Sequence, residues 1–315
     1  MDATFALKPS ETAALTRRIT ALSVATATIL TALKAFVWIA SGSVSVLASL
    51  ADSGLDLFAA LGTFWAVRYA AAPPDAEHRY GHGKAEAFAS LVQAGLVFAS
   101  AALIGQEAIR HFIEPHRLEH QGWGVAAMAV STVLTGGLIW AQTQVLKKTR
   151  SVAVTGDRAH YVADLASNVI ALISIAASAL FSISGFDAVG GLAVAVILLW
   201  GAISVFRQAS NELMDHELSE AARERIVELM TADPRLTDVH QLRTRASGPV
   251  VHIQMHADLD PELSLETAHE VVVAAEKRVL EVFPAADIII HADPRGRAEP
   301  HGGAFAETYE PRGKS

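Results

Sequence analysis

Six long apolar segments occupy the first two thirds of the chain, and each is long enough to cross a lipid bilayer. They cover approximately residues 19–40, 44–67, 87–109, 123–145, 152–183 and 188–206. A helix of about 20 apolar residues spans a hydrocarbon core of about 30 Å. The pattern therefore predicts an all-α transmembrane bundle of six helices within residues 1–210.

From residue 211 onward the pattern is that of a soluble domain, with ordinary charge density and no run long enough to span a membrane. Residues 220–231 and 265–282 have helical apolar spacing, whereas residues 239–245, 250–259 and 288–290 are strand-like. Gly248 and Pro249 favour a hairpin turn between the first two strands. We predict a small cytoplasmic α+β domain of order αββαβ over residues 211–294, followed by a disordered tail over 295–315.

Lysine and arginine are unevenly distributed between the two ends of the predicted spans. One set of ends carries only Arg110 and Arg117. The opposite set carries Lys8, Arg17, Arg18, Arg68, Arg79, Lys84, Lys147, Lys148, Arg150 and Arg207. The positive-inside rule places the richer set, and with it both termini, in the cytoplasm. No cleavage-site pattern follows the first apolar run, so we expect that run to remain as a membrane span.

Composition limits the environment of the chain, its binding partners and the ligands that it can offer to a metal. Hydrophobic residues make up 51% of the 315 residues and charged residues only 18%, which is too few for an ordinary soluble surface. The net charge of -8 excludes a basic patch for nucleic acid. Because the chain has no cysteine, any bound metal must be held by oxygen and nitrogen ligands.

Two pairs of ionisable residues lie inside the predicted spans. Asp52 and Asp56 belong to the second span, and His160 and Asp164 belong to the fifth. Three unpaired carboxylates at the bilayer centre would cost roughly 8 to 10 kcal/mol, so a positive partner is required. The i,i+4 spacing puts both members of each pair on one face of a helix, which allows two helices to form a four-ligand cation site.

The depth of these residues supports the same interpretation. At about 1.5 Å per residue, antiparallel packing of the two spans sets Asp52 opposite Asp164 and Asp56 opposite His160 near mid-membrane. The alternative is that the aspartates pair with lysine or arginine. Lys34 lies within the first span, and we expect it to snorkel to the interface rather than bind anything. Three carboxylates and one imidazole suit Zn²⁺, and less uniquely Fe²⁺, Co²⁺ or Cd²⁺.

Several further motifs accompany the two pairs: GSVSVLA at 42–48, YGHGKAE at 80–86, LRTR at 242–245 with SGP at 247–249, and HADP at 291–294. Over residues 17–294 the chain resembles the cation diffusion facilitator family, and within it the bacterial zinc and ferrous-iron efflux proteins. The resemblance implies a homodimer in the bacterial plasma (inner) membrane with a metallochaperone-like, ferredoxin-like cytoplasmic domain. It also implies exchange of divalent metal for protons by alternating access, so the protein is expected not to be an enzyme.

The resemblance implies three further groups of functional residues. Asp75, His78 and His82 match a metal site in the loop after the second span, although a solvated polar loop is the alternative. Lys84 and Asp215 match a charge interlock of the dimer. A two-metal centre at the dimer interface is implied for His240, His256, His269, His291 and Asp293. His252 lies outside this pattern and is predicted to be an exposed strand residue.

Other classes of membrane protein that handle ions or metals have sequence motifs of their own. A nucleotide-driven pump would need a G-x-x-x-x-G-K-[ST] motif, and an intramembrane metalloprotease would typically show H-E-x-x-H; the chain contains neither. A membrane-bound metal sensor that does not transport remains open. The prediction is therefore efflux of Zn²⁺, or of Fe²⁺ or Cd²⁺, in exchange for protons, with Zn²⁺ also serving a structural or regulatory role in the cytoplasmic domain. His160 is the expected proton carrier, because the reference pKa of imidazole is near 6.5 and that of aspartate near 3.9.

Overall fold

The computed structural model describes residues 7–42, 44–113, 122–181 and 186–296. Its first part consists of six helices of 25 to 33 residues. They are α1 (Pro9–Ser41), α2 (Val44–Ala70), α3 (Ala85–Ile113), α4 (Gly122–Leu146), α5 (Val152–Phe181) and α6 (Phe186–Leu213). Within the described residues, α1, α2, α3 and α6 are long and apolar enough to cross a membrane by length and composition. The predicted all-α transmembrane bundle is confirmed, and the structure has six long helices in it.

Small side chains fill the contacts between these helices, and large apolar ones face outward. Trp200 is 79% exposed and Trp65 is 63% exposed, whereas Ala101 and Ala202 are buried. α3 packs against both α5 and α6. A Cβ atom added at Gly191 of α6 would lie 3.1 Å from Ala108 Cβ of α3. This arrangement is typical of a bundle in lipid, where close backbone approach replaces the hydrophobic effect as the source of helix association.

The second part is a three-stranded sheet with two helices. Its elements are α7 (Glu220–Met230), β1 (Leu236–Ser247), β2 (Val250–Leu259), α8 (Leu265–Val282) and β3 (Ala286–Pro294). The strand order is β1-β2-β3, with β1 and β2 antiparallel and β2 and β3 parallel. Ile226, Ile253 and Val271 are fully buried and form part of one core with Met230 and Val279. The predicted αββαβ order is confirmed.

The strand ends differ from the prediction in two places. β1 begins at Leu236 rather than at residue 239, because register irregularities near Asp238 and after His240 interrupt the alternation of apolar and polar residues. β3 covers nine residues rather than three, since its burial alternates and only part of it is apolar. From residue 297 onward the predicted disordered tail lies outside the described residues.

Candidate metal centres

Three of the four predicted membrane ligands meet between α2 and α5. His160 Nε2 lies 2.9 Å from Asp56 Oδ1 and 3.6 Å from Asp164 Oδ2. One ligand atom from each of the three residues lies within 4.8 Å of the others. His160 is buried and the two aspartates are half-buried. The group, called here the membrane triad, has the ligand types and the spacing that a divalent transition metal requires.

Asp52 stands beside the membrane triad rather than within it. It lies one helical turn before Asp56, and both residues line a cavity of about 270 Å³ together with Asp164. The side chain of Asp52 is exposed in the isolated chain. The fourth predicted ligand therefore faces the same cavity but does not belong to the compact three-residue group.

Lys34 is not where the sequence predicted it. Its Nζ atom donates a hydrogen bond to Ser53 Oγ at 2.6 Å and another to the Ser49 carbonyl at 3.3 Å. The side chain also lines the cavity that Asp52 and Asp56 line. The snorkelling prediction was wrong because α1 packs against α2, and this packing brings hydrogen-bond acceptors within reach of the ammonium group.

A buried network holds α5 next to the membrane triad, and sequence reasoning missed it. Asp157 Oδ2 accepts hydrogen bonds from Ser23 Oγ at 2.7 Å and from Gln142 Nε2 at 2.9 Å. Gln93 Nε2 donates to Asp157 Oδ1 at 3.3 Å. All four side chains are buried, and they belong to α1, α3, α4 and α5. Buried carboxylates need such donors, so the network orients the turn of α5 that precedes His160.

The loop residues Asp75, His78 and His82 also come together. Asp75 lies 3.3 Å from His78 Nδ1 and 3.2 Å from His82 Nε2, and their ligand atoms all lie within 4.8 Å of one another. Backbone N–H groups of His78 and Glu77 donate to the Asp75 carboxylate and lower its pKa. His82 is buried, whereas Asp75 and His78 are exposed. This loop cluster combines an ionised carboxylate with two imidazoles.

Some of the residues predicted for a two-metal centre lie close together where the three strands pair. His256 Nδ1 lies 2.8 Å from Asp293 Oδ2, and His240 Nε2 lies 3.4 Å from the same oxygen. These three residues form a compact group, here called the cytoplasmic cluster. His291 adjoins it, with Nε2 3.3 Å from Asp293 Oδ1. The strand register explains the grouping, because His240 pairs with His256 and His256 pairs with His291.

One residue predicted for this centre lies apart from the compact group, and one residue without a prediction lies beside it. His269 is exposed on α8 and is not a member of the compact group that the described residues form. Asp258, which the sequence did not single out, lies with its Oδ1 3.2 Å from His240 Nε2. A carboxylate two residues after His256 on the same strand was the available signal, because alternate residues of a strand share a face.

Lys84 and Asp215 form an ion pair within one chain, with Lys84 Nζ 3.0 Å from Asp215 Oδ1. Arg245 of β1 joins them, because its Nη1 lies 3.1 Å from Asp215 Oδ2. Burial would raise the pKa of Asp215, but Lys84 and Arg245 outweigh that effect and the net pKa is lowered. The cytoplasmic end of the helical bundle is therefore tied to the sheet by a three-residue charge cluster.

The loop between α2 and α3 packs directly on this part of the sheet. The Arg245 guanidinium lies 4.7 Å from the centre of the Tyr80 ring. Gly83 contacts the turn between β1 and β2, where an added Cβ atom would lie 2.1 Å from the Ser247 carbonyl oxygen. The Gly248 N–H donates to Glu212 Oε1 of α6 at 2.8 Å. This docking junction joins the loop cluster to the cytoplasmic domain.

His252 is buried, which contradicts the prediction of an exposed strand residue. Its Nδ1 lies 3.1 Å from Asp287 Oδ2, and the Tyr80 ring meets it edge-on at 5.6 Å. Burial lowers the pKa of His252, Asp287 opposes that shift and Arg245 adds to it. The prediction failed because Tyr80 covers this strand from a loop far away in the sequence.

Comparison with known proteins shows the family of the chain. Residues 20–214 match the family model described as the cation efflux transmembrane domain, and residues 218–295 match the cytoplasmic domain of cation efflux proteins. The chain is 38% identical over 270 residues to the cation-efflux pump FieF of Serratia proteamaculans, covering 86% of this chain and 90% of that protein. The FieF pump of Klebsiella pneumoniae is 37% identical with the same coverage.

A solved structure of the zinc form of the transporter CzrB is similar to a smaller part of the chain. It is 29% identical, and the match covers 27% of this chain and 99% of that one with a TM-score of 0.25.

Proposed function

Because this chain belongs to the cation efflux family, whose members are membrane transporters and not enzymes, we propose that it exports Zn²⁺, with Fe²⁺ and Cd²⁺ as further cargo, in exchange for protons. The membrane triad is the single observation that carries this proposal. Asp56, His160 and Asp164 place two carboxylates and one imidazole around one point, and Asp52 lines the same cavity. Mg²⁺ and Ca²⁺ would require more oxygen ligands and no imidazole.

The geometry of His160 supports coupling between metal and protons. The Nε2 atom that lies 2.9 Å from Asp56 Oδ1 is also the atom that would bind the metal. When that nitrogen carries a proton, it donates to the carboxylate. When it binds the cation, the proton must leave, because a metal ligand has to offer its lone pair. One atom therefore holds either a proton or the metal, which is the requirement for antiport.

Alternating access follows from the need to expose the same site to each side in turn. The cation enters from the cytoplasm, the bundle rearranges around the site, and protons from the outer side displace the cation from the ligands. Protonation also makes the return of the empty carrier less costly, since it reduces the number of uncompensated charges in the membrane. Both termini face the cytoplasm in this scheme, and the plasma (inner) membrane of a bacterium is the proposed location.

The cytoplasmic domain has a regulatory role in the proposal. We place the division between the membrane domain and the cytoplasmic domain at residues 210 and 211, within the last turn of α6. The cytoplasmic cluster and the loop cluster are proposed to bind Zn²⁺ themselves. Two copies of the chain form a homodimer through their cytoplasmic domains, and metal bound there draws the copies together. The ion pair of Lys84 and Asp215 then fixes the position of the helices relative to the cytoplasmic domain.

Flux in proteoliposomes separates this proposal from a sensor that does not transport. Vesicles that contain the purified protein are loaded with a zinc-sensitive dye and given an imposed pH gradient. We expect Zn²⁺ to accumulate against the direction of proton flow and the accumulation to stop when the gradient is collapsed with an ionophore. A sensor would bind Zn²⁺ and show no flux dependent on the gradient, and this outcome would overturn the transport proposal.

Replacement of His160 by aspartate is expected to change metal selectivity rather than only reduce activity. The change removes the single nitrogen ligand and leaves an all-oxygen site, which favours Mn²⁺ over Zn²⁺ relative to the native ligand set. Competition flux with the two metals measures this preference. We expect the preference for Zn²⁺ over Mn²⁺ to fall by about tenfold or more. An unchanged preference, with flux retained, would remove His160 from the ligand set.

A further inference from the structure

Lys34 is a cationic side chain on the wall of the transport cavity, and the proposed function leaves it without a role. Its α-carbon belongs to α1, but its ammonium group is hydrogen-bonded to α2, at 2.6 Å from Ser53 Oγ and 3.3 Å from the Ser49 carbonyl. The side chain is half-buried. A lysine that only snorkelled would direct its ammonium group toward the membrane surface, whereas this one is held by the helix that carries Asp52 and Asp56.

The position of Ser53 determines which charges Lys34 faces. Ser53 follows Asp52 directly and precedes Asp56 by three residues, so the anchor lies between the two carboxylates along α2. Lys34, Asp52, Asp56 and Asp164 all line the same cavity of about 270 Å³. Among the described residues that line this cavity, Lys34 is the one basic side chain. Three carboxylates in a membrane need such a charge when no metal is bound.

We propose that Lys34 is the tethered counter-cation of the transport site, and that its charge lowers the affinity for the metal so that the cargo can be released. This inference rests on the proposed function, because it assumes that the cargo binds at the membrane triad. The ammonium group attracts the carboxylates of the empty site and repels a divalent cation that enters it. Lys34 thereby stabilises the empty carrier relative to the loaded one, without being a ligand itself.

Electrostatics predicts the direction of the effect without ambiguity. The interaction between two charges falls inversely with the distance between them, and it is stronger where the surroundings exclude water. A fixed positive charge on the cavity wall therefore weakens binding of a doubly charged ion measurably. Damage to the site would also weaken binding. Tighter binding after the charge is removed is a result that structural damage does not produce.

Two neutral replacements test the inference in the full-length protein. Lys34→Met removes the charge and keeps the length of the side chain, and Lys34→Gln keeps a hydrogen-bonding tip that can reach Ser53. Binding of Zn²⁺ to the membrane site is measured by titration as the part that the Asp56→Ala variant lacks. We expect both replacements to tighten this binding by about tenfold, equivalent to about 1.4 kcal/mol, and Lys34→Arg to retain the native affinity.

Flux measurements supply the second readout. For the neutral variants we expect KM for Zn²⁺ to fall and kcat to fall as well, because a more tightly held cargo leaves more slowly. Lys147→Met is the matched control, since Lys147 is an exposed lysine directly after α4 whose Nζ donates a long hydrogen bond of 3.5 Å to Gln144. The control should keep both the affinity and kcat of the native protein.

The outcomes distinguish this inference from the proposed function. If the native protein shows no Zn²⁺ binding that depends on Asp56, the proposed function itself fails. If such binding exists and Lys34→Gln leaves it unchanged or makes it weaker, the proposed function stands and the role of Lys34 as counter-cation is overturned. Should Lys34→Met not fold, Lys34→Gln decides the question alone.

Discussion

Replacement of Asp56 by alanine is expected to abolish metal flux while the loop and cytoplasmic clusters continue to bind metal. Asp56 supplies the carboxylate nearest to His160, at 2.9 Å. Removal of groups that only support a metal ligand typically costs 10- to 100-fold in affinity, so loss of the ligand itself should reduce flux by at least about 100-fold. Flux into proteoliposomes measures the loss, and equilibrium dialysis with Zn²⁺ measures the binding that remains.

The contrast between the two measurements is what makes this variant informative. The loop cluster at Asp75 and the cytoplasmic cluster at His256 lie outside the helical bundle, so the dialysis experiment should show that only the membrane site has been lost. Asp56→Asn provides the same test with the side-chain volume preserved. Both variants should migrate as the native protein does in size-exclusion chromatography.

Glu107→Ala is the matched control for Asp56→Ala. Glu107 is a carboxylate in the transmembrane helix α3, but its side chain is exposed and its Oε2 lies 3.6 Å from Arg110 Nη1. An exposed pair of this kind contributes at most about 1 kcal/mol, so flux should remain native. Native flux in Asp56→Ala or in Asp56→Asn would show that the metal does not pass through the membrane triad.

Replacement of Gly83 by alanine is expected to separate the cytoplasmic domain from the α2–α3 loop. An added Cβ atom would lie 2.1 Å from the Ser247 carbonyl oxygen and 2.5 Å from the Ser247 carbonyl carbon. Both contacts are with backbone, which cannot rotate away as a side chain would. Overpacking at a site of this kind typically costs about 1–3 kcal/mol and forces the backbone to shift. The turn between β1 and β2 must therefore move off the loop.

The consequence should extend across the docking junction. Lys84 follows Gly83 directly and pairs with Asp215, while Arg245 contacts both Asp215 and Tyr80. We expect faster backbone hydrogen exchange over residues 75–83 and 244–252, and flux reduced by about tenfold. The sheet itself should remain folded, because Ile226, Ile253 and Val271 hold its core together between α7, β2 and α8.

Gly62→Ala is the control for Gly83→Ala. Gly62 also belongs to the membrane half of the chain, but an added Cβ atom there meets nothing within 4 Å. Alanine is also the better helix former, so this variant should be at least as stable as the native protein. Native hydrogen exchange in the loop of Gly83→Ala, together with native flux, would show that the domain does not need this contact.

The candidate membrane ligands could be identified from the sequence because a charged residue in a lipid-facing segment is costly and therefore stands out. Asp56, His160 and Asp164 stand out from apolar surroundings, and the i,i+4 spacing is a local property of a helix. The same reasoning did not apply to Asp157, although it too lies in α5, because its partners Ser23, Gln93 and Gln142 come from three other helices. A neutral hydroxyl or amide partner has no conspicuous signature in a sequence.

The histidines of the cytoplasmic domain also show that a sequence does not reveal contacts between distant residues. The strand register brings His240, His256 and His291 side by side, and for these residues family resemblance and tertiary structure agree. His269 is exposed on α8, outside the compact cluster of the described residues. Asp258 contacts His240, although the sequence did not predict this contact. The positions of scattered histidines in the sequence do not show which of them are close in space, because the pairing of the strands decides this.

The sequence by itself determined the six-helix membrane bundle, the αββαβ domain and the two ionisable pairs within the spans, Asp52 with Asp56 and His160 with Asp164. The helices and strands follow from local periodicity, and the ionisable pairs are recognised by the cost of placing charge in lipid. Both kinds of evidence can be read from residues that are near one another in the chain. Only the tertiary structure decided that Lys34 reaches the cavity that Asp52 and Asp56 line, that Tyr80 covers His252, and that Gly83 meets the turn at Ser247. Those contacts depend on how separate elements pack, and packing joins residues that no local pattern relates.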